Sequence, residues 1–214
     1  LGDVYKRQAV GSTGALINLI VNLFIGLSVG TNVLAAQYYG AGNRKDLQET
    51  VHTSVLTSLI FGVVLLVIGI SLADPLLALM GTPEEVLPQA SLYMRIFFLG
   101  MPASMLYNFG AAILRAVGDT KRPLYFLLLS GVVNVVLNLF FVIVLHMDVA
   151  GVATATVISQ AISAGLVVWC LVKVKGDYNL DLKKLRIYKD KLLGMTKIAV
   201  SYTHLRAHET RRHL

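Results

Sequence analysis

The chain has 214 residues, of which 56% are apolar and only 14% charged, and its mean hydropathy is +0.69. A disordered chain needs low hydrophobicity and high charge, and an average soluble domain is about one quarter charged, so the composition excludes the first and argues against the second. The net charge of +7 points on its face to nucleic acid or an anionic membrane surface, and the single cysteine, Cys170, excludes an internal disulfide and any cysteine-cluster metal site.

The two ends do not continue the pattern beside them. Residues 1–8 read LGDVYKRQ, and residues 200–214 read VSYTHLRAHETRRHL. Both resemble translated sequencing-library adaptor, so the expected natural segment is 9–199, an internal piece of a longer gene. On that reading His204, His208 and His213 carry no metal-site meaning. Removing the ends takes away five basic and two acidic residues and leaves a net charge of +4.

Between the ends the apolar residues come in blocks long enough to cross a bilayer, which takes about 20 residues as a helix. The expected spans are 14–36, 51–73, 96–114 (begun earlier by 91–95), 123–147 and 149–172, and 192–199 begins a further helix. Continuous rather than alternating blocks argue against a β-barrel. The expected fold class is therefore all-α, a polytopic membrane helix bundle.

The connections alternate in charge. Arg44 and Lys45 follow the first span, and no Lys or Arg lies in 74–90. Arg115, Lys121 and Arg122 follow the third span, and none lies near 146–148. The stretch 173–191 then carries Lys173, Lys175, Lys183, Lys184, Arg186, Lys189 and Lys191. A helical serpentine obeying the positive-inside rule produces this alternation, which puts the odd-numbered connections in the cytoplasm. The basic stretch 173–191 is expected as a cytoplasmic linker beside anionic headgroups, with no nucleic-acid partner.

Local signals add detail. Thr82-Pro83-Glu84-Glu85 has the form of an N-cap, a first-turn proline and a capping-box glutamate, and predicts a helix start there. Asp119-Thr120-Lys121-Arg122-Pro123 marks the entrance to the fourth span, and Pro102 is expected to kink the third. Gly26, Gly30 and Gly40 are expected to permit close helix packing. Arg95 is expected to reach toward the headgroups, and Trp169, Tyr38, Tyr39, Tyr93 and Tyr125 fall near span ends, where aromatic belts form.

Polar groups at membrane depth are costly unless partnered and so are candidate functional groups. Asn134 and Asn138 lie four apart in the fourth span, on one helical face. Two carboxamides so placed can coordinate a cation or hydrogen-bond a buried acid; they can equally join helices. Asn108, Thr154, Thr156, Gln160, Asn18, Asn22 and Asn32 are further candidates, the two threonines more as bonds back to their own helix. Every Asp and Glu of 9–199 falls in a connection. A proton-driven transporter normally needs a buried acid, so either the coupling acid is expected on a helix outside 9–199, or this half contributes only neutral oxygen ligands, which sodium accepts. No phosphate-binding loop, catalytic triad or zinc-spaced cluster appears, so an enzyme is not expected.

Several strings, in order, resemble the multidrug and toxic compound extrusion (MATE) family. They are Gly26-Leu-Ser-Val-Gly30 with Ala36-Gln-Tyr-Tyr-Gly-Ala-Gly42, then Leu114-Arg-Ala-Val-Gly-Asp-Thr-Lys-Arg-Pro123, then Asn134 and Asn138, and Gly151-Val-Ala-Thr-Ala-Thr156 through Gln160. The resemblance implies a twelve-helix, two-lobe transporter, of which residues 9–172 are helices two to six of the amino-terminal lobe. It implies a multi-pass cell-membrane protein, monomeric when full length, exporting drugs or organic cations in exchange for Na+ or H+, with no cofactor besides that ion. It also implies a cation and substrate site at Asn134, Asn138 and Thr156, with Asn108 a weaker neighbour. A lipid-linked oligosaccharide flippase of the same superfamily, or a non-transport membrane subunit, are the alternatives.

Overall fold

The structure is a computed structural model and describes residues 22–212. The part of the first expected span before residue 22, with Asn18, lies outside the described residues. Helix α1 (22–40) ends in a tight turn in which Gly42 takes φ 68°, the left-handed region open to glycine. Helix α2 (Arg44–Leu79) follows at once. Asn43 caps it, its Oδ1 accepting from the Asp46 N–H at 3.2 Å. The first basic connection is thus a short turn, and Arg44 and Lys45 belong to the first turn of a helix.

At 36 residues α2 is about 54 Å long, against about 30 Å of bilayer core. It overruns the expected span at both ends. Asp74, expected in a connection, is helical, and Pro75 is accommodated inside the last turns.

Helix α3 (Leu87–Leu99) and helix α4 (Met101–Ala116) together make the third crossing, broken at Gly100. The kink expected at Pro102 is therefore present, and Pro102 falls in the first turn of α4, where its missing N–H costs nothing. The helix start expected at Thr82 is corrected. Pro83 opens a turn whose carbonyl accepts from Val86 and Leu87, and α3 begins at Leu87. Pro88 is the reason: a helix begun at Pro83 would carry Pro88 in its interior and lose a backbone bond there.

Helix α5 (Lys121–Leu139) starts where expected; Asp119 Oδ1, rather than Thr120, accepts from the Arg122 N–H at 3.1 Å. It runs into a π-helical turn, Phe140–Val144. Helix α6 (Asp148–Lys173) returns antiparallel to α5. A short 3-10 turn, Leu182–Lys184, punctuates the connection 174–188, and helix α7 (Lys189–Arg212) ends the described chain. It begins three residues before the expected position and runs through the 199/200 junction without a break.

Among the described residues four helical stretches are long and apolar enough to cross a membrane: Arg44–Leu79, Leu87–Ala116, Lys121–Val144 and Asp148–Lys173. Their ends sort as the charge alternation requires. Arg44 pairs with Asp177 at 3.1 Å, and Arg122 Nη1 lies 3.3 Å from Cys170 Sγ, so the first, third and fifth connections meet at one basic end. Leu77, Val86, Tyr93 and Val149 line a common depression at the opposite end.

The core at the basic end joins Leu47, Val51 and Val55 of α2, Ile113 and Leu114 of α4, Val167 and Leu171 of α6, and Leu180 of the connection. Helices approach closely at small residues. A Cβ on Gly62 would lie 2.5 Å from Pro102 Cα, and one on Gly30 would collide with the Met195 carbonyl. Gly26 packs on Ala199 in the same way, but Gly40 faces open space, because α1 ends there and nothing crosses it. Arg95 pairs with Asp74 at 2.5 Å, and Ser91 donates to the same carboxylate. Trp169, Tyr125, Tyr93 and Tyr39 are exposed as a belt requires, whereas Tyr38 is half-buried.

Candidate functional site

Among the described residues the α5–α6 hairpin carries Ser130, Asn134 and Asn138 on one helix and Thr154, Thr156, Ser159 and Gln160 on the other. Its register follows from Gly151, whose ideal Cβ lies 3.0 Å from Phe141 Cβ. Counting back along α5 and forward along α6 at about 1.5 Å per residue puts Asn134 and Asn138 at the height of residues 154–158, the level of Thr156.

The two asparagines meet. Asn138 Nδ2 donates to Asn134 Oδ1 at 2.6 Å, and both side chains are half-buried. The bond lies within one helix, so it does not join α5 to a neighbour. It aligns both carboxamides and leaves Asn138 Oδ1 buried with no donor. Leaving a buried acceptor unpaired costs on the order of 1–3 kcal/mol, which a cation or a donor group on a ligand would recover.

Thr156 donates to the Val152 carbonyl at 3.0 Å, one turn back, so its oxygen keeps lone pairs free to accept. Thr154 bonds back to Ala150 at 2.7 Å in the same way. Gln160, one turn beyond Thr156, also has a buried and unpartnered Oε1, lying against Gly100 at the α3–α4 break. Asn108 is exposed on α4 and donates to the Ser104 carbonyl at 2.9 Å. Among the described residues no hydrogen bond links Asn108 or Thr156 to the asparagine pair. Asn32, by contrast, is a helix tie: its Nδ2 donates to the Ala112 carbonyl at 2.9 Å and holds α1 to α4.

The chemistry available is that of neutral oxygens. Among the described residues each Asp and Glu lies toward one end of a helix or in a connection, so the mid-height groups present amide and hydroxyl oxygens without a carboxylate. Such a set suits a hard cation of single charge, and it lacks a group that would carry a proton near neutral pH.

A second group of polar contacts, at the basic end, was not legible as a site in the sequence. Lys191 is 4% exposed, and its ammonium lies 2.8 Å from Asp46, 2.7 Å from Asp190 and 3.4 Å from Glu49, with the Tyr38 ring centroid 5.1 Å away. Burial alone would lower the lysine pKa; the hydrogen bonds to Asp190 and Asp46 overcome it and hold the ammonium well above its ordinary value. The Lys191 hydrogen bond correspondingly holds the Asp190 carboxyl below its ordinary range. Burial pushes the Tyr178 phenol in the connection upward.

Comparison with known proteins places this architecture. The MatE family model matches residues 8–140. The chain is 34% identical to the probable multidrug resistance protein YoeA of Bacillus subtilis (strain 168), over 90% of this chain and 43% of that protein. It superposes on an inward-facing conformation of a multidrug resistance MATE family transporter of the MOP superfamily with TM-score 0.78 and 26% identity, covering 86% of this chain and 42% of that one. For an outward-facing conformation of such a transporter the TM-score is 0.79 at 27% identity, covering 92% and 44%. The chain thus spans less than half the length of the relatives it matches. With the family model covering more than half of its residues and its helices stacked as in solved transporters of that family, this chain is a multi-pass cell-membrane protein that belongs to the MATE family of multidrug transporters.

Proposed function

We propose that this chain is helices two to six of the amino-terminal lobe of a secondary antiporter that exports drugs or organic cations against Na+ or H+, with 173–191 as the cytoplasmic connection to the next lobe. Matches that cover less than half of full-length relatives support the lobe assignment. The observation that carries the coupling role is the asparagine pair: an intrahelical bond that presents a buried, unpartnered oxygen at Asn138. Asn134, Asn138 and Thr156 form the cation site, with Asn108 at its margin. The neutral oxygen set favours sodium over a proton. Cation binding there biases the lobes toward one opening, and substrate favours the other.

A non-transport subunit in which the asparagines join helices fits the geometry less well, because their bond stays inside α5. The test is Asn134→Ala and Asn138→Ala in the completed transporter. The expected result is loss of ion-dependent export, by tenfold or more on the order of one cation ligand's contribution, with normal membrane abundance. Unchanged export with poor abundance would show that the pair holds the bundle instead.

A further inference from the structure

The segment after α6 reads in sequence as a free basic linker, yet the structure ties it down at every few residues. Asn179 Nδ2 donates to the Val172 carbonyl at the end of α6 at 2.9 Å and to that of the following cap residue Val174 at 2.6 Å, and Leu180 N–H donates to the Leu171 carbonyl at 3.0 Å. These are carbonyls that a helix end leaves without partners, so the segment completes α6. Leu180 is buried in the core. Asp177 pairs with Arg44 at the start of α2, and the rings of Tyr178 and Tyr39 meet edge to face.

Two backbone N–H groups of the segment then find side chains on α2. Asp181 N–H donates to His52 Nε2 at 3.1 Å, and Tyr188 N–H donates to Thr53 Oγ1 at 3.1 Å. The His52 contacts fix its tautomer. The Gln48 carbonyl, 2.6 Å from Nδ1, can only accept, and the Asp181 amide can only donate, so the ring is neutral with its proton on Nδ1. Lys191 closes the segment. Its three protons face Asp46 and Glu49 of α2 and Asp190 of its own helix.

We infer that residues 177–191 form a clasp that fixes the exit of α6 and the entrance of α7 to the basic ends of α1 and α2, so that this connection moves with the bundle and is not the flexible joint between lobes. Lys191 is the keystone and His52 the second anchor. The chain's comparable superposition on inward-facing and outward-facing relatives accords with a unit that keeps its internal packing. The clasp does not depend on the cation site, and its test reads no transport.

Hydrogen–deuterium exchange on the completed transporter in lipid nanodiscs tests it. The Leu180, Asp181 and Tyr188 amides are expected to exchange at least tenfold more slowly than unprotected loop amides. Lys191→Met is expected to speed exchange across 177–188 tenfold or more, while α6 amides stay protected. Because Lys191→Met also disturbs α7, His52→Ala gives an independent reading: loss of protection centred on Asp181, with the Asn179 and Leu180 contacts retained. A wild-type segment exchanging at loop rates, or both variants leaving its protection unchanged, overturns the clasp.

Discussion

Helix α5 and the basic end solve the same problem in opposite ways. Most of α5 is apolar and faces outward; Val132 is 62% exposed, and Gly131 has nothing within 4 Å of where a Cβ would stand. Its mid-helix polar groups, Ser130, Asn134 and Asn138, fall four apart on one face, the last two joined as a pair. The basic end is crowded, with Leu47, Val51, Ile113, Leu114 and Leu171 each almost fully enclosed beside Thr53, His52 and Lys191. Where a face such as that of α5 meets lipid, the tails supply its contacts, since they are as apolar as the side chains they touch. Near the headgroups and water, each polar group needs a specific partner, and tertiary contacts supply it. The contrast separates the candidate cation oxygens, on a helix whose outer face is open, from the enclosed basic end, where no transport chemistry is proposed.

The contrast can be broken most sharply at Val132. If α5 faces lipid at mid-height, Val132→Lys should cost about 3 kcal/mol of insertion free energy, read as failed membrane insertion in a translocation assay, whereas Val132→Leu should insert normally. Normal insertion of the lysine variant would mean that the outward face of α5 meets water or another polar surface.

A pair of glycine substitutions gives the next largest effect. Gly62→Ala forces a Cβ to 2.5 Å from Pro102 backbone and should destabilise the protein by about 1–3 kcal/mol, measured as a lower midpoint of thermal unfolding in detergent. Gly131→Ala meets open space and should be neutral or stabilise by up to about 1 kcal/mol through helix propensity. Equal effects at the two positions would erase the packing difference between the interior and α5.

The smallest effect is at Asp190, whose side chain is mostly exposed although it bonds Lys191. Asp190→Asn should leave most of the clasp's exchange protection, because Asp46 and Glu49 still hold the ammonium. The pH dependence has a definite sign. The lowered Asp190 pKa means that its contribution is present above the ordinary carboxylate value and is lost as pH falls below it through the lowered one. The raised Lys191 pKa means that its contribution is present below the ordinary lysine range and is lost only as pH rises beyond it. Exchange protection of the clasp in wild type should therefore be level near neutral pH and fall first on the acid side; a fall beginning near neutrality would contradict this assignment.

The amino-acid sequence by itself determined the class of molecule. Long uncharged blocks at this length can be satisfied only as membrane-spanning helices, and the alternation of Arg44, Lys45 with Arg115, Lys121, Arg122 and the 173–191 lysines fixed which connections share an end, because both rest on composition and local order along the chain. The i,i+4 spacing of Asn134 and Asn138 likewise guaranteed that the two amides would meet, since helix geometry alone brings them together. What depended on distant residues was hidden. The partner of Arg95 is Asp74, at the far end of a helix that overran its expected span. Pro88 outweighed the capping box at Thr82. Lys191 looked like one more linker charge, and His52 like a residue at a span edge, until folding brought Asp46, Glu49 and the Asp181 amide to them. Partners more than a hundred residues apart leave no periodic trace in one sequence; only the tertiary structure decides whether a charge is solvated or enclosed.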